Sequence, residues 1–173
     1  MWLMPDDRVR ARVERRQYRA LVKHVFVPRR SGWASMLPSG EAAGACLWYP
    51  PGTKRHNFRE TLAESLPFLP AGFRHLGKAS RLQRLITSNW PGEPHWYLSV
   101  LSVSPESQRE GHGAALLRPG LEAADRDAVG CWLETQRESN IPFYARFGFQ
   151  LVRRVEVEPD VPLWLMWRPP AGA

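Results

Sequence analysis

The chain has 173 residues, 43% of them apolar and 24% charged, the make-up of an ordinary globular protein, and no apolar run reaches the length of a membrane span. The formal charge is +7, and all but three of the 24 basic residues (Lys23, Lys54, Lys78) are arginine. That balance fits nucleic acid, a membrane surface, an anionic small molecule or mere codon preference, so charge selects no function by itself. Cys46 and Cys131 stand far apart, outside any C-x-x-C spacing, and read as buried thiols of a cytoplasmic protein rather than a disulfide framework or metal site.

In chain order, "MWLMPDDRVR" lacks a secretory layout because Asp6 and Asp7 interrupt it. A basic amphipathic helix is predicted from Asp7 to His24, capped by Asp6, with Val9, Val13, Tyr18, Leu21, Val22 and Val25 on one side. "SGWASMLPSGEAAGACLWYPPG" reads as a hairpin turning at Pro38–Gly40. From His56 to Trp90 the pattern is helical in two pieces, broken around Pro67, Pro70 and Gly72. "PHWYLSVLSV" is too continuously apolar for a half-exposed strand and is predicted to be central. A helix to about Arg126 follows, with Pro119-Gly120 expected to cost stability and kink it. "GCWLETQ" is another buried strand, "IPFYARFGF" a short helix ending at Gly148, and "QLVRRVEVE" and "PLWLMWR" two alternating antiparallel strands. With no repeat and no linker, residues 1–173 read as one α/β domain with a mixed sheet.

Chemistry concentrates in "QREGHGAALL", residues 108–117, between the central strand and the next helix. Helix N-termini leave N–H donors unpaired and carry partial positive charge, and glycine lets the backbone approach an oxygen, so this junction suits an anion. No Lys-Ser or Lys-Thr follows, which excludes a P-loop, and the third glycine of a dinucleotide site is missing. On this segment alone a plain loop and a phosphate cradle are equally good readings. A second constellation lies downstream: Glu134 on a buried strand, then Asn140, able to cap the short helix, and Tyr144 one turn further on the same side.

Taken together, Gln-x-x-Gly-x-Gly after a strand ending Val-x-Pro, then Leu-Glu-Thr, then Asn-x-Pro-Phe-Tyr-x-x-x-Gly-Phe, resemble the GNAT (GCN5-related N-acetyltransferase) superfamily. The similarity is greatest to the branch that includes puromycin N-acetyltransferase, and it runs from about Gly44 to the C-terminus. The resemblance implies a mixed, mostly antiparallel sheet flanked by helices, with a splayed parallel strand pair at its centre. It implies acetyl-CoA as co-substrate, with the pyrophosphate on the turn of Gln108, Arg109, Glu110, Gly111, His112, Gly113 and Ala114 and the pantetheine arm along Leu101 and Val103. Asn140 joins that cofactor set; Tyr144 would return a proton to the leaving thiolate, its phenol having an ordinary pKa near 10, and Glu134 would be the base for the acceptor amine. No metal is implied, since His24, His56 and His75 show no ligand spacing.

Each residue has a plainer reading. Tyr144 fits a core tyrosine, Glu134 an arginine's structural partner, His95 packing or surface, and His112 a solvent-facing ring. Trp48, Trp90 and Trp96 fit either an acceptor pocket or the core. Glu110 and His112 depart from the family pattern, and an acid beside pyrophosphate weakens binding unless it turns outward. The acceptor implied is a small-molecule primary amine, with no specific nucleic acid and no membrane. The rival readings are a catalytically silent CoA-binding protein and a basic nucleic-acid-binding module. The family's first strand and first helix have no counterpart before Asp7, which would leave Trp33–Leu37 as a bare sheet edge. The expectation is a natural protein that begins upstream of Met1 or, second, a homodimer whose neighbouring chain covers the gap.

Overall fold

The structure, a computed structural model, describes residues 7–53 and 73–172. The Asp6 cap, the apolar start at Trp2–Met4 and the first helical piece predicted after His56 lie outside the described residues. What is described falls into two compact units, one of 7–30, 73–90 and 156–162 and one of 31–53, 91–155 and 163–172.

The first unit holds the helical stretches 7–30 and 73–90, with 156–162 contributing strand ends around a turn. α1 (Asp7–Leu21) is built from good helix formers with no glycine or proline. It runs past the predicted end at His24, through a π-helical turn at Val22–Phe26 and a last turn at Val27–Arg29. Arg30 then takes a left-handed conformation (φ 50°), and its N–H bonds to the Val27 carbonyl at 3.2 Å. The predicted apolar side is only partly right. Leu21 and Val25 are buried, but Tyr18 and Val22 are exposed, and the side chains of Val9 and Val13 lie outside the described set. α2 (Phe73–Ser88) is the second predicted helical piece.

The second unit holds most of the sheet. β1 (Gly32–Met36) and β2 (Ala42–Tyr49) form the expected hairpin, closed by the Leu37 carbonyl accepting from Gly40 (φ 84°) at 2.9 Å. β3 (His95–Val103) pairs antiparallel with β2; α3 (His112–Arg126) then leads to β4 (Gly130–Thr135), parallel to β3. α4 (Ile141–Ala145), β5 (Gln150–Glu158) and β6 (Val161–Arg168) complete the order β1-β2-β3-β4-β6-β5, with β6 antiparallel to β4. β3 and β4 are thus the two central strands of the six, β3 in the place expected for its apolar run. β1 stands at one edge, as expected for the run around Trp33.

One expectation needs correcting. β5 does not alternate: as the other edge it is exposed along 150–154, with Leu151 and Val152 both exposed, while β6 is buried at four successive residues. Trp48 and Trp96 meet edge to face at 6.5 Å inside the core cluster, in keeping with the core reading of the two. α3 is one helix from His112 to Arg126 through Pro119, and Gly120 has a reason to be there. A Cβ at Gly120 would collide with the wholly buried indole of Trp48, so the missing side chain is what lets β2 and α3 approach. Arg168 of β6 clamps the end of α3, donating from Nη1 and Nη2 to the two carboxylate oxygens of Asp125 at 2.7 and 3.0 Å. Trp96 Nε1 donates to Asp127 Oδ2 at 2.8 Å, fixing the same helix end to β3.

Candidate active site

Parallel pairing of β3 with β4 spans only His95↔Gly130 to Leu98↔Leu133. Beyond it, β3 stays bonded to β2 as far as Val103↔Gly44, and Glu134 and Thr135 stay bonded to β6. Each strand keeps its outer partner while the inner edges part. At the same level β3 carries a bulge: Leu47 faces Val100 and Trp48 faces Leu98, leaving Ser99 as an extra residue. A bulge bends and twists its strand, so Ser99 marks the point from which Leu101 and Val103 diverge from β4. Nothing in "LSVLSV" shows a bulge, and Ser99 has no sequence signal.

β3 ends at Val103, and Pro105–Ser107 form one turn of 3-10 helix. Gln108 is extended, with its side-chain Nε2 donating back to the Val103 carbonyl at 3.3 Å, so it braces the turn. Arg109 (φ 70°) and Gly111 (φ 90°) are both left-handed. The first bond of α3 is donated by Ala115 to the Gly111 carbonyl at 3.0 Å, and no side chain caps the helix. The N–H groups of His112, Gly113 and Ala114 therefore have no acceptor within the helix, the arrangement that favours an anion. Arg109 is exposed beside them.

The two glycines serve different ends. A Cβ at Gly111 would meet nothing within 4 Å, so that glycine answers to its dihedral and to open space in front of the turn. A Cβ at Gly113 would lie 3.4 Å from Phe143 Cζ and 3.8 Å from Val103 Cγ2. Of the two, only Gly111 takes a positive φ. Gly113 is instead where the end of β3, the start of α3 and α4 converge.

Pro142 is the second residue of α4, in the first turn where a missing N–H costs nothing, and the helix is followed by Gly148 at φ 86°. Asn140 does not cap it: its Nδ2 donates to Thr135 Oγ1 at 2.9 Å, tying the end of β4 to the helix. Tyr144 is buried in the core cluster between Phe143 (5.1 Å) and Phe149 (6.0 Å). Burial, with the neighbouring Cys46 thiol second, pushes its phenol up to about 12 rather than the ordinary value expected. It is thus a core tyrosine in packing and a firmly protonated acid in charge.

Glu134 is half-buried, and its Oε1 accepts from Trp132 Nε1 at 2.6 Å. His95 is buried, with Nδ1 2.8 Å from the Glu93 carbonyl oxygen. His112 is not solvent-facing. Its Nδ1 shares a 2.7 Å hydrogen bond with Ser35 Oγ of β1, and its Nε2 lies 3.5 Å from Glu110 Oε2. Burial pushes the Cys46 and Cys131 thiols up to about 12, and neither forms a disulfide. Among the described residues no group of three His, Cys, Asp or Glu could hold a metal ion, and no helix is long and apolar enough to cross a membrane.

The same fold is found in solved acetyltransferases. The chain is similar in fold to a structure described as histone acetyltransferase HPA2 and related acetyltransferase from Corynebacterium glutamicum (TM-score 0.66, 20% identity, covering 99% of this chain and 81% of that one). It is likewise similar to Naa20 from Chaetomium thermophilum, solved with a bisubstrate analogue (TM-score 0.55, 16% identity, 88% and 70% covered). In sequence it is 25% identical over 147 residues to an uncharacterized N-acetyltransferase of Schizosaccharomyces pombe. That match takes in 78% of this chain and 60% of the relative's length. The acetyltransferase (GNAT) family model matches residues 6–149, and the chain belongs to that family.

Proposed function

We propose that this protein is an N-acetyltransferase that moves the acetyl group of acetyl-CoA to the primary amine of a small molecule. The observation that carries the reading is the convergence at Gly113, where Val103, the unpartnered N–H groups of α3 and the helix bearing Tyr144 come within van der Waals contact of one point. The pyrophosphate would take the N–H groups of Arg109, Gly111, Gly113 and Ala114, with Arg109 adding charge. The pantetheine arm would lie along Leu101 and Val103 on the edge that β4 leaves open. The amine nitrogen would attack the thioester carbonyl, a C–N bond forming as the C–S bond breaks. Tyr144 would give its proton to the departing sulfur, and the proton the nitrogen sheds would restore the phenol. A phenol held near 12 is fully protonated at neutral pH, as that role requires. The amine must arrive neutral, and Glu134 is the base we assign to it; the short bond from Trp132 fixes its carboxylate.

We take residues 1–173 to act as one domain, without metal, and place it in the cytoplasm, where two buried unpaired thiols are stable. Resemblance to an antibiotic-modifying branch favours an amino-nucleoside or amino-acid derivative as acceptor. The test is thiol release from acetyl-CoA against a panel of small amines, amino acids and peptides. Turnover with a small amine supports the assignment; turnover confined to peptides moves the acceptor class. Binding of acetyl-CoA without release for any amine leaves a silent CoA-binding protein.

A further inference from the structure

Glu110 is an unexpected residue in a turn meant for a polyanion, because a carboxylate free to swing onto the donors at the start of α3 would compete with phosphate. The surrounding side chains restrain it. Glu110 keeps 60% of its side chain exposed, and its Oε2 lies 3.5 Å from His112 Nε2. The imidazole is only 20% exposed and is held from its other nitrogen by Ser35 Oγ at 2.7 Å. Ser35 sits on β1, paired to β2 opposite Gly44, so the chain of contacts starts on the sheet and ends at the turn. Arg109, the neighbouring cation, has no ion pair among the described residues and stays available to an anion.

We propose that His112 is a positioning residue: anchored by Ser35, it holds the Glu110 carboxylate off the 109–114 turn and so sets the affinity for the phosphates of CoA. This rests on the cradle reading above and adds a determinant of affinity to it. The contribution of His112 is then conditional on the charge at position 110. A histidine that merely packs would matter equally whatever stands there, and a double-mutant cycle separates the two.

The measurement is the dissociation constant of CoA at low salt, by calorimetry, for wild type, His112→Ala, Glu110→Gln and the double variant, each checked for folding by thermal denaturation. Releasing a unit charge toward a bound polyanion at an exposed site changes affinity about three- to tenfold. We expect His112→Ala to weaken CoA by that factor in the wild-type background and by less than about twofold beside Glu110→Gln. Added salt should narrow the difference. Ser35→Ala should move affinity in the same direction as His112→Ala, and it replaces His112→Ala in the cycle if that variant does not fold. Equal losses in both backgrounds, or no loss in the wild-type background, overturn the inference while leaving the cradle standing. Failure of the wild-type protein to bind CoA overturns both.

Discussion

Gly111→Ala isolates the turn from the rest of the site. Gly111 precedes the first residue of α3 at φ 90°, and a Cβ there would touch nothing. The substitution therefore carries no packing clash, only the left-handed penalty of about 1–2 kcal/mol for a residue with a side chain. For a protein of this size that should lower Tm by about 2–8 °C at a slope of about 2–4 °C per kcal/mol. Relief of the strain rotates the peptide that presents the first free N–H groups of α3. A hydrogen bond to a charged oxygen is worth about 1.5–3 kcal/mol, so loss of one should weaken acetyl-CoA about ten- to hundredfold. Gly113→Ala is the control: its Cβ would sit at ordinary contact distance from Phe143, and alanine is the better helix former. It should fold as well as wild type and bind with a far smaller loss. Calorimetric titration of both folded variants with acetyl-CoA decides the matter. Wild-type affinity in Gly111→Ala would refute the cradle.

Tyr144→Phe should lower kcat about 10²–10⁴-fold with much less effect on acetyl-CoA affinity, measured by steady-state thiol release and titration; full turnover would leave Tyr144 as packing alone. Its phenol, raised in the fold from 10.0 to about 12, contributes stability that is complete below pH 10 and lost as pH rises through 12. The Cys46 and Cys131 thiols, raised from 9.0 to about 12, act in the same sense from pH 9 upward, so Tm should fall across pH 9–12 and less steeply in Tyr144→Phe. The same two thiols should ignore a disulfide reagent in the native protein at pH 8 and react on unfolding, since only thiolate attacks. Glu110→Lys should tighten CoA modestly at low salt, and no change would mean that the side chain at 110 never nears the phosphates. Binding to duplex DNA should be weak; tight binding with a steep salt slope would favour the nucleic-acid reading of the arginine-rich first helix.

How much of this was legible in the sequence depends on whether a feature is local. The β1–β2 hairpin, the extent of α3 and the central place of β3 were readable because turn residues, helix periodicity and continuous apolar runs act over a few positions. α1 overran its expected end because nothing local stops a helix before Pro28, and the π-helical turn there leaves no mark in residue type. The exposure of β5 was hidden because its alternation resembles that of a half-buried strand, and only the strand order shows it to be an edge. Gly120 looked like a defect in a helix because its partner, Trp48, is 72 positions away.

The site divides along the same line. Its chemical parts were named through the resemblance that their motifs carry, but their partners are set by tertiary contacts. Asn140 was expected to cap α4 and braces Thr135 instead; His112 was expected in solvent and is joined to Ser35, 77 residues earlier. Ser99 was missed altogether, and it makes the clearest case. A bulge is a mismatch between two strands, so it belongs to the register of β2 on β3 and to neither sequence. It falls one residue past the last parallel pair, Leu98↔Leu133, where β3 must leave β4 without leaving β2. An extra residue on β3 at that level supplies the length and twist for the departure, and the edge it frees is the one the pantetheine arm would use. Deleting Ser99 should restore regular pairing on both sides of β3 and close the gap. The deletion variant should therefore lose CoA binding while keeping a cooperative unfolding transition, measured by calorimetry and thermal denaturation. Retained CoA affinity in a folded deletion variant would show that the parting of the strands does not depend on the bulge.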